Sequence, residues 1–533
     1  MNVQVINSEQ APHSRLEPVA PGIDTPPHES PAQRGPQDRV SPREVTLTLR
    51  SRRSMLRNIF APVATVAAVS AAKSAAAGPN EVPADIDPGS LIPKLVRRIT
   101  QGATPDDVAL ASSFGYQGYL EYQLAHELID DSLLEARLLP YTRLTMNFAD
   151  LYFANGHYFV MRDMSYVRVL RALYSRRQLF ERVVEFWHDH FNTDMNSEFG
   201  GYYKVVDDRQ VMRPNAMGNF PDLLRSVITS PGMLAYLTNT HNFASHPNEN
   251  LAREMMELHT LGYGSGYSQF DVQEVARCLT GWTVTPTHLP GGGVVYFNAA
   301  EHDDYDKIVL GNLIPGGGGM QDLYTVLDIL SDHPATARFI ATKLCKWFLQ
   351  EQPLSSVIDA VAATYTRTRG DIKSMIRTIL APNVLYAAAP KYKRPFHLIT
   401  SAIRLLDSQI DDNYFILSAL ENTGHRQYEW SSPDGFPDRA QFWGGNQIAR
   451  WNFCTSLCEN RIMGVRTNAS RFFSDLTSPE DVVNRINSDM LQGEMSQNDW
   501  NLARDFLALD PLSPTRRAAT VGLVMTMQSF HWY

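Results

Sequence analysis

Apolar residues recur with helical spacing along most of the chain, and this periodicity restricts the fold more than any other feature. Segments with an apolar residue at every third or fourth position begin near residue 91 and continue towards the last residues, separated by short stretches that contain Gly or Pro. Segments that alternate apolar and polar residues, as half-buried strands do, are nearly missing. The sequence therefore predicts a mainly α fold, a globular bundle of many helices.

Residues 285–320 interrupt this pattern because they are rich in Gly and Pro. They predict a loop that contains a short hairpin, with strands near 294–297 and 308–310. We expect this insertion to separate an N-terminal helical subdomain, residues 78–284, from a C-terminal helical subdomain, residues 321–533. The candidate site described below falls in the first of these.

Two other stretches lack helical periodicity. Residues 196–215 show no consistent apolar face, which predicts a surface loop. Residues 424–447 contain several Gly, Pro and Asp residues and are also predicted to form a loop.

The N-terminal residues have the composition of a targeting region. Residues 1–50 are rich in Pro, Ser, Gln and Arg, which predicts a disordered extension. Residues 51–77 contain Arg52-Arg53, a mildly apolar Ala/Val-rich run and then small residues, and this order is typical of a twin-arginine export signal cleaved after Ala77. The run is shorter than the roughly 20 residues that span a bilayer. We therefore predict a periplasmic or secreted bacterial protein with no stable membrane span after signal removal.

Charge and motif content exclude several classes of protein. The chain has 48 Lys and Arg against 57 Asp and Glu, a formal net charge of −9, so it lacks the general basic field of a nucleic-acid-binding protein. Four cysteines are too few for a disulfide scaffold. A Gly-x-Ser-x-Gly elbow, a His-Glu-x-x-His helix and a dinucleotide-binding glycine motif are all missing, which argues against serine hydrolases, zincins and Rossmann dehydrogenases.

Residues 246–259 hold the densest group of side chains that could carry chemistry. On a helix, four of them have the spacing i, i+3, i+4 and i+7 and would share one face: Asn250, Arg253, Glu254 and Glu257. An adjoining apolar stripe would be formed by Leu251, Met255 and Leu258. The polar face would therefore lie at the edge of the core.

The next helix repeats this arrangement after a short glycine-rich turn. Ser268 is predicted to cap it, with Asp271 three residues further on. Asp271, Glu274 and Arg277 would form its polar face. Because the two helices are expected to pack as a hairpin, their polar faces could meet.

Two interpretations of these carboxylates remain open. In the first, they form ion pairs with arginines and only fix the packing of the helices. In the second, they are catalytic, because clustered carboxylates repel and one can keep a proton as general acid while another stays ionised. The catalytic residues would then be Glu254, Glu257, Arg253 and Asp271.

A metal site is a further form of the catalytic interpretation. The segment 186–192 contains His188 and His190, whose rings cannot share one helical face, so they suit a metal site only at a helix end. A divalent metal that activates water would be held by His188, His190, Glu254 and Glu257. Alternatively, one histidine is a buried hydrogen-bonding residue and the other lies at the surface.

A series of short motifs runs in order through most of the chain. They occupy residues 97–105, 186–191, 248–254, 257–262, 279–282, 333–340, 393–396 and 432–437. Together they resemble a bacterial family catalogued as domain of unknown function 1800. The resemblance implies a mostly helical fold, frequent export signals and, from gene neighbours similar to sulfatases and phosphatases, a role in envelope or polymer metabolism.

These observations lead to two functional expectations. The first is an exported hydrolase that acts on an envelope or extracellular polymer through the carboxylate and histidine residues named above. The second is a non-catalytic envelope assembly or chaperone-like protein that binds a secreted partner, with the same residues purely structural.

Overall fold

α-Helices make up most of the described chain, as the periodicity predicts. The structure is a computed structural model that describes residues 87–154 and 156–533. The predicted disordered extension (1–50) and export signal (51–77) lie outside the described residues. The helices up to the glycine-rich segment are Ile92–Ile99, Pro105–Leu124, Ser132–Leu138, Phe148–Phe153, His157–Tyr174, Gln178–His190, Gly200–Asp207, Arg213–Asn215, Phe220–Ile228, Pro231–Tyr236, Asn250–Glu254 and Gln269–Cys278.

The helices resume directly after the glycine-rich segment. They are Met320–Asp332, Pro334–Phe348, Ser355–Thr368, Ile372–Ile379, Pro382–Ala387, Pro395–Leu405, Tyr414–Asn422, Ala440–Trp443, Gln447–Cys458, Pro479–Leu491, Gln497–Ala508, Pro514–Thr526 and Gln528–His531. Many begin with Pro in the first turn, where the missing N–H would have no helical partner. Within residues 87–154 and 156–533, no helix is both long and apolar enough to cross a bilayer.

Two helical stretches are wound more loosely than an α-helix. Asp208–Met212 and Met255–Thr260 form π-helical turns, in which hydrogen bonds join residues five apart, as in the bond from the amide of Arg213 to the carbonyl of Asp208. Such turns often mark functional sites. They also shift the residues that follow out of α-helical register.

The first of these turns explains one wrong expectation. Residues 196–215 do not form a surface loop, because they contain the helix Gly200–Asp207, whose residues from Gly201 onward are buried, and the π-helical turn that follows it. The π-helical turn breaks the 3.6-residue period, so no regular apolar face is visible in the sequence.

The few strands form short antiparallel pairs, of which the first two are hairpins. Trp282–Val284 pairs with Val295–Phe297, and Lys307–Val309 pairs with Asn312–Ile314. A third pair joins Gln409–Ile410 to Val465–Arg466. The glycine-rich segment therefore does contain a hairpin, but the expected pairing of 294–297 with 308–310 is wrong.

One large apolar core extends across this insertion. It runs from Leu91, just before the first helix, to Ala388, and it takes in Phe297, Val309 and Ile314 from the hairpins. The proposed division at 285–320 does not interrupt this core, and the subdomain boundaries themselves stay a prediction.

The helix Gln178–His190 carries a buried row of charged side chains through the interior. Glu181, which is 1% exposed, accepts hydrogen bonds from Arg213 and lies 3.7 Å from Arg168. Glu185 lies 2.9 Å from Arg168 and 3.6 Å from Arg182. Buried charges are tolerated only when they are paired, so each carboxylate here depends on its arginines.

Replacing Glu181 by alanine should therefore be strongly destabilising. The change leaves the buried Arg168 and the partly buried Arg213 without this carboxylate, and breaking such a pair costs about 3–5 kcal/mol of the free energy of unfolding. Urea denaturation measures this cost. The matched control is Asp359→Ala, because Asp359 pairs with Arg338 at the surface and such pairs contribute at most about 1 kcal/mol. Equal losses in the two variants would contradict the structural role of the buried row.

Candidate functional site

The predicted helix that carries Asn250, Arg253, Glu254 and Glu257 is present, but its geometry changes partway along. Residues Asn250–Glu254 are α-helical, and Met255–Thr260 continue as a π-helical turn. Leu251 and Met255 are buried as predicted, whereas Leu258 is half-buried. The polar side chains lie at the border of the core.

Arg253 is held mainly by its own helix. Its guanidinium donates to Glu249 at 2.8 Å and to Gln269 of the following helix at 2.9 Å, and it lies 3.8 Å from Glu257. Gln269 also donates to Glu249 at 2.7 Å. The two helices thus meet through Gln269, and the predicted meeting of their charged faces does not occur.

Glu254 differs from its neighbours because its carboxyl group forms no hydrogen bond or ion pair within the described residues. Its side chain is half-buried. Burial raises the pKa of this carboxyl, and the charges of Glu257 and Asp434 raise it further, against the opposing effect of Arg253. This raised pKa distinguishes Glu254 from Glu249, whose pKa is lowered mainly by its hydrogen bond from Gln269.

Glu257 has polar neighbours in its own helix and in the segment that follows it. It faces Arg253, and it lies beside the phenol of Tyr267. Burial, followed by the effect of Glu257, raises the pKa of Tyr267. Glu254 and Glu257 consequently occupy different environments although they are only three residues apart.

Asp271 is occupied by structural hydrogen bonds. One carboxylate oxygen accepts from the amide and the hydroxyl of Ser268, at 2.8 and 2.7 Å, which confirms the predicted cap. The other oxygen accepts from the amide of Leu310 at 2.7 Å. These contacts attach the hairpin to the helix Gln269–Cys278, and they give no support to the acid–base role predicted for Asp271.

Glu274 and Arg277 extend the same attachment. Glu274 accepts from the amide of Ile308 and from Arg277, each at 2.7 Å. Arg277 also donates to Asp303 at 2.7 and 3.0 Å. The polar face of this second helix is therefore used for packing.

His188 lies inside the protein, next to the first π-helical turn. It is 4% exposed, and its Nε2 is 2.8 Å from Oδ1 of Asp208. Burial lowers the pKa of His188 to about 4, so the ring is neutral near pH 7 and donates its Nε2 proton to Asp208. Its Nδ1 then carries a free lone pair.

His190 lies against the second π-helical turn. Its Nε2 is 3.1 Å from the carbonyl of His259, and Nδ1 of His259 is 3.1 Å from the carbonyl of His190. Burial lowers the pKa of both rings. Both histidines of the motif are thus buried, and the expectation that one would lie at the surface is wrong.

The side chains predicted to hold a metal do not converge. In the part of the chain that the structure describes, no group of three or more His, Cys, Asp or Glu side chains is arranged to hold a metal ion. His188, His190, Glu254 and Glu257 therefore do not form the predicted ligand set. The two rings point to different partners, as the His-x-His spacing on a helix requires.

A small polar cavity lies beside His188. Its volume is about 10 Å³, enough for about one water molecule. The lining is charged or polar and consists of Arg168, Glu185, His188, Asp189, Asn192, Gln427 and Tyr428. Nδ1 of His188 and Nε2 of Gln427 are buried and have no partner among the described residues. One water that donates to the first and accepts from the second would satisfy both.

The motif at 432–437 brings Asp434, which sequence reasoning did not select, towards Glu254. Asn192 donates to the carbonyls of Trp430 and Ser432, at 2.7 Å each, and so fixes this segment to the end of the helix Gln178–His190. Gly435 has φ of +76°, and a Cβ there would lie 2.0 Å from the carbonyl oxygen of Asp189. The Pro-Asp-Gly-Phe-Pro sequence signals such a turn, but nothing in it indicates which helix the turn contacts.

Comparison with known proteins gives one match. The family model described as "Protein of unknown function (DUF1800)" matches residues 94–532, which is most of the chain. No curated protein and no solved structure matches. The match covers every one of the motifs on which the resemblance rests. The chain therefore belongs to the DUF1800 family of proteins of unknown function.

Proposed function

We propose that this protein is an exported bacterial hydrolase that cleaves an envelope or extracellular polymer, with Glu254 as its general acid. The observation that carries the proposal is the state of Glu254, a half-buried carboxyl without a hydrogen bond or ion pair in the described chain. Its pKa is raised by burial, Glu257 and Asp434. A carboxyl whose pKa is raised in this way suits general acid catalysis.

The proposed reaction needs two different carboxyl groups. Glu254 would give its proton to the oxygen of the leaving group as the bond to carbon breaks, and water would add its hydroxide to that carbon. The remaining proton of the water restores Glu254. Glu257, beside Arg253, would be the second carboxyl and would stabilise positive charge that develops on the substrate.

The site of action is proposed from the sequence. Residues 51–77 have the order of a twin-arginine export signal, which supports a periplasmic or secreted location. The preference for a polymer substrate rests on the gene neighbourhood that the family resemblance implies.

The proposal is tested by measuring the pKa of Glu254 directly. We expect carbon-13 NMR of protein labelled at the glutamate side-chain carboxyls to show Glu254 titrating above the ordinary range of glutamate, with the signal assigned by its loss in Glu254→Gln. Asp434→Asn and Glu257→Gln should each lower this pKa, because each removes a neighbouring negative charge. The control is Glu249→Gln, in which the pKa of Glu254 should stay higher than in those two variants. An ordinary or lowered pKa for Glu254 would contradict the proposal and favour the non-catalytic assembly protein.

A further inference from the structure

A second cavity lies far along the chain from the residues of the proposed active site, and its lining is cationic. It has a volume of about 20 Å³ and lies between the helices Ile92–Ile99 and Pro395–Leu405. The polar residues of its lining are Arg97, Lys393, His397, Ser401, Gln492 and Tyr533. Neither Asp nor Glu belongs to the lining, although acidic residues outnumber basic ones in the chain.

Lys393 is the side chain that makes this cavity unusual. It is 8% exposed, and within the described residues its ammonium has no hydrogen bond and no carboxylate partner. The ammonium instead lies 3.9 Å from the centre of the Phe530 ring. A nearly buried cation without a counterion is costly, and a bound anion would offset that cost.

The surroundings of Lys393 add further positive charge. Burial and the charge of Arg97 lower the pKa of Lys393 to about 7, with only Cys454 opposing them. Burial also holds the pKa of His397 well below its usual range, and Arg182, Lys393, Lys391 and Arg98 all act in the same direction. His397 is therefore neutral and keeps one N–H that can donate. The net potential in the cavity attracts an anion.

Arg97, which lines the cavity, has an unused donor. Its terminal nitrogens bond to Glu494 and to the carbonyl of Leu491, whereas its Nε is buried without a partner among the described residues. Guanidinium and ammonium groups together are the usual ligands of phosphate oxygens in proteins.

The backbone at Gly102 allows the two walls to come this close. Gly102 has φ of +138°, and a Cβ there would lie 2.5 Å from the Cα of Ser401. The motif at 97–105 can therefore pack directly against the helix Pro395–Leu405. Two motifs that sequence reasoning left without a role, 97–105 and 393–396, thus form one cavity.

We propose that this cavity is a binding site for a small oxyanion of the phosphate or sulfate type, held by the Lys393 ammonium, the Arg97 guanidinium and the His397 ring. The anion would supply the counterion that Lys393 lacks. The site is independent of the proposed hydrolase activity, because none of its residues belongs to the helix that carries Glu254.

The test is thermal unfolding of the full protein with sodium phosphate at constant ionic strength, adjusted with sodium chloride. Phosphate should raise the Tm of the wild type with a saturable dependence on its concentration, because a ligand that binds only the folded state stabilises it. Lys393→Met should weaken phosphate binding at least tenfold, and without phosphate its Tm should equal or exceed that of the wild type. Lys346→Met, at an exposed lysine outside the cavity, should respond to phosphate as the wild type does.

A second ligand and a second variant complete the test. Phenyl phosphate should bind less well than free phosphate if the cavity takes the isolated ion, and equally well if it takes a phosphate group on a larger molecule. Arg97→Gln provides a second variant should Lys393→Met fail to fold, and it should also weaken phosphate binding. A wild type that responds to phosphate no more than to chloride, or variants that bind phosphate as the wild type does, would overturn the assignment.

Discussion

Replacing Glu254 by glutamine is expected to reduce turnover by at least about a hundredfold, because general acid catalysis contributes 10²–10⁴-fold and glutamine cannot give up a proton. The loss should appear in kcat for any polymer that the wild type hydrolyses, measured by release of new chain ends. The protein should nevertheless stay folded. Glutamine keeps the shape of the side chain and, like the protonated carboxyl that it replaces, places no negative charge beside Glu257.

The stability of this variant separates the two interpretations of the acidic helix. A catalytic Glu254 predicts a Tm equal to or slightly above that of the wild type. Glu249→Gln is the control, because Glu249 bonds to Arg253 and Gln269 and should matter for packing and not for turnover. A Glu254→Gln variant that loses stability but keeps its activity would show that this carboxyl is structural.

The free energy of unfolding is expected to fall by several kcal/mol between pH 7 and pH 5. Six histidines are at most 4% exposed, and burial lowers the pKa of each: His188, His190, His259, His397, His425 and His531. In the unfolded chain these rings take up protons near pH 6.5, whereas the folded protein protonates His188 only near pH 4 and His259 and His531 only near pH 3. Each ring therefore favours unfolding by up to about 1.4 kcal/mol per pH unit across that interval.

Some carboxyls act in the opposite direction. Burial raises the pKa of Asp207 to about 7 and also raises that of Asp189, so these groups favour the folded state as the pH falls. These carboxyls are fewer than the histidines, so the histidines determine that the free energy of unfolding falls as the pH is lowered. Urea denaturation at a series of pH values measures the slope of the free energy of unfolding against pH.

A single variant tests the origin of this pH dependence. Asparagine at position 259 keeps a nitrogen that can donate to the carbonyl of His190, as Nδ1 of His259 does, and it does not titrate. His259→Asn should therefore reduce the slope of stability against pH by about one proton between pH 6.5 and pH 5. A wild-type stability that does not change over this range would refute the role of the buried histidines.

The helices were the part of the fold most open to prediction from sequence. Pro479–Leu491 begins and ends where its apolar period and its N-terminal Ser-Pro predict. Residues 164–191 have continuous apolar periodicity, yet they belong to two helices, His157–Tyr174 and Gln178–His190. Ser175, between them, donates a hydrogen bond to the distant Asp131. Local patterns do not record such contacts.

The candidate site was less predictable for the same reason. Spacing on a helix correctly grouped Arg253 with Glu257. It could not indicate that Asp271 would be used by the amide of Leu310, or that Asp434 would approach Glu254, because both contacts join segments that are distant in sequence. The His-x-His motif was misread because the two π-helical turns that receive its rings leave no periodic signal.

The helix Gln178–His190 also contacts residues that lie far beyond the glycine-rich insertion. Asp189 binds Arg394, 205 residues away, and Gln178 binds Arg404, 226 residues away. Neither partner can be exchanged alone without leaving an ionised or polar group enclosed and unmatched. The stretches before and after the glycine-rich insertion are thus expected to be inherited as one piece, and recombination with unrelated modules should be confined to the flanks of this unit.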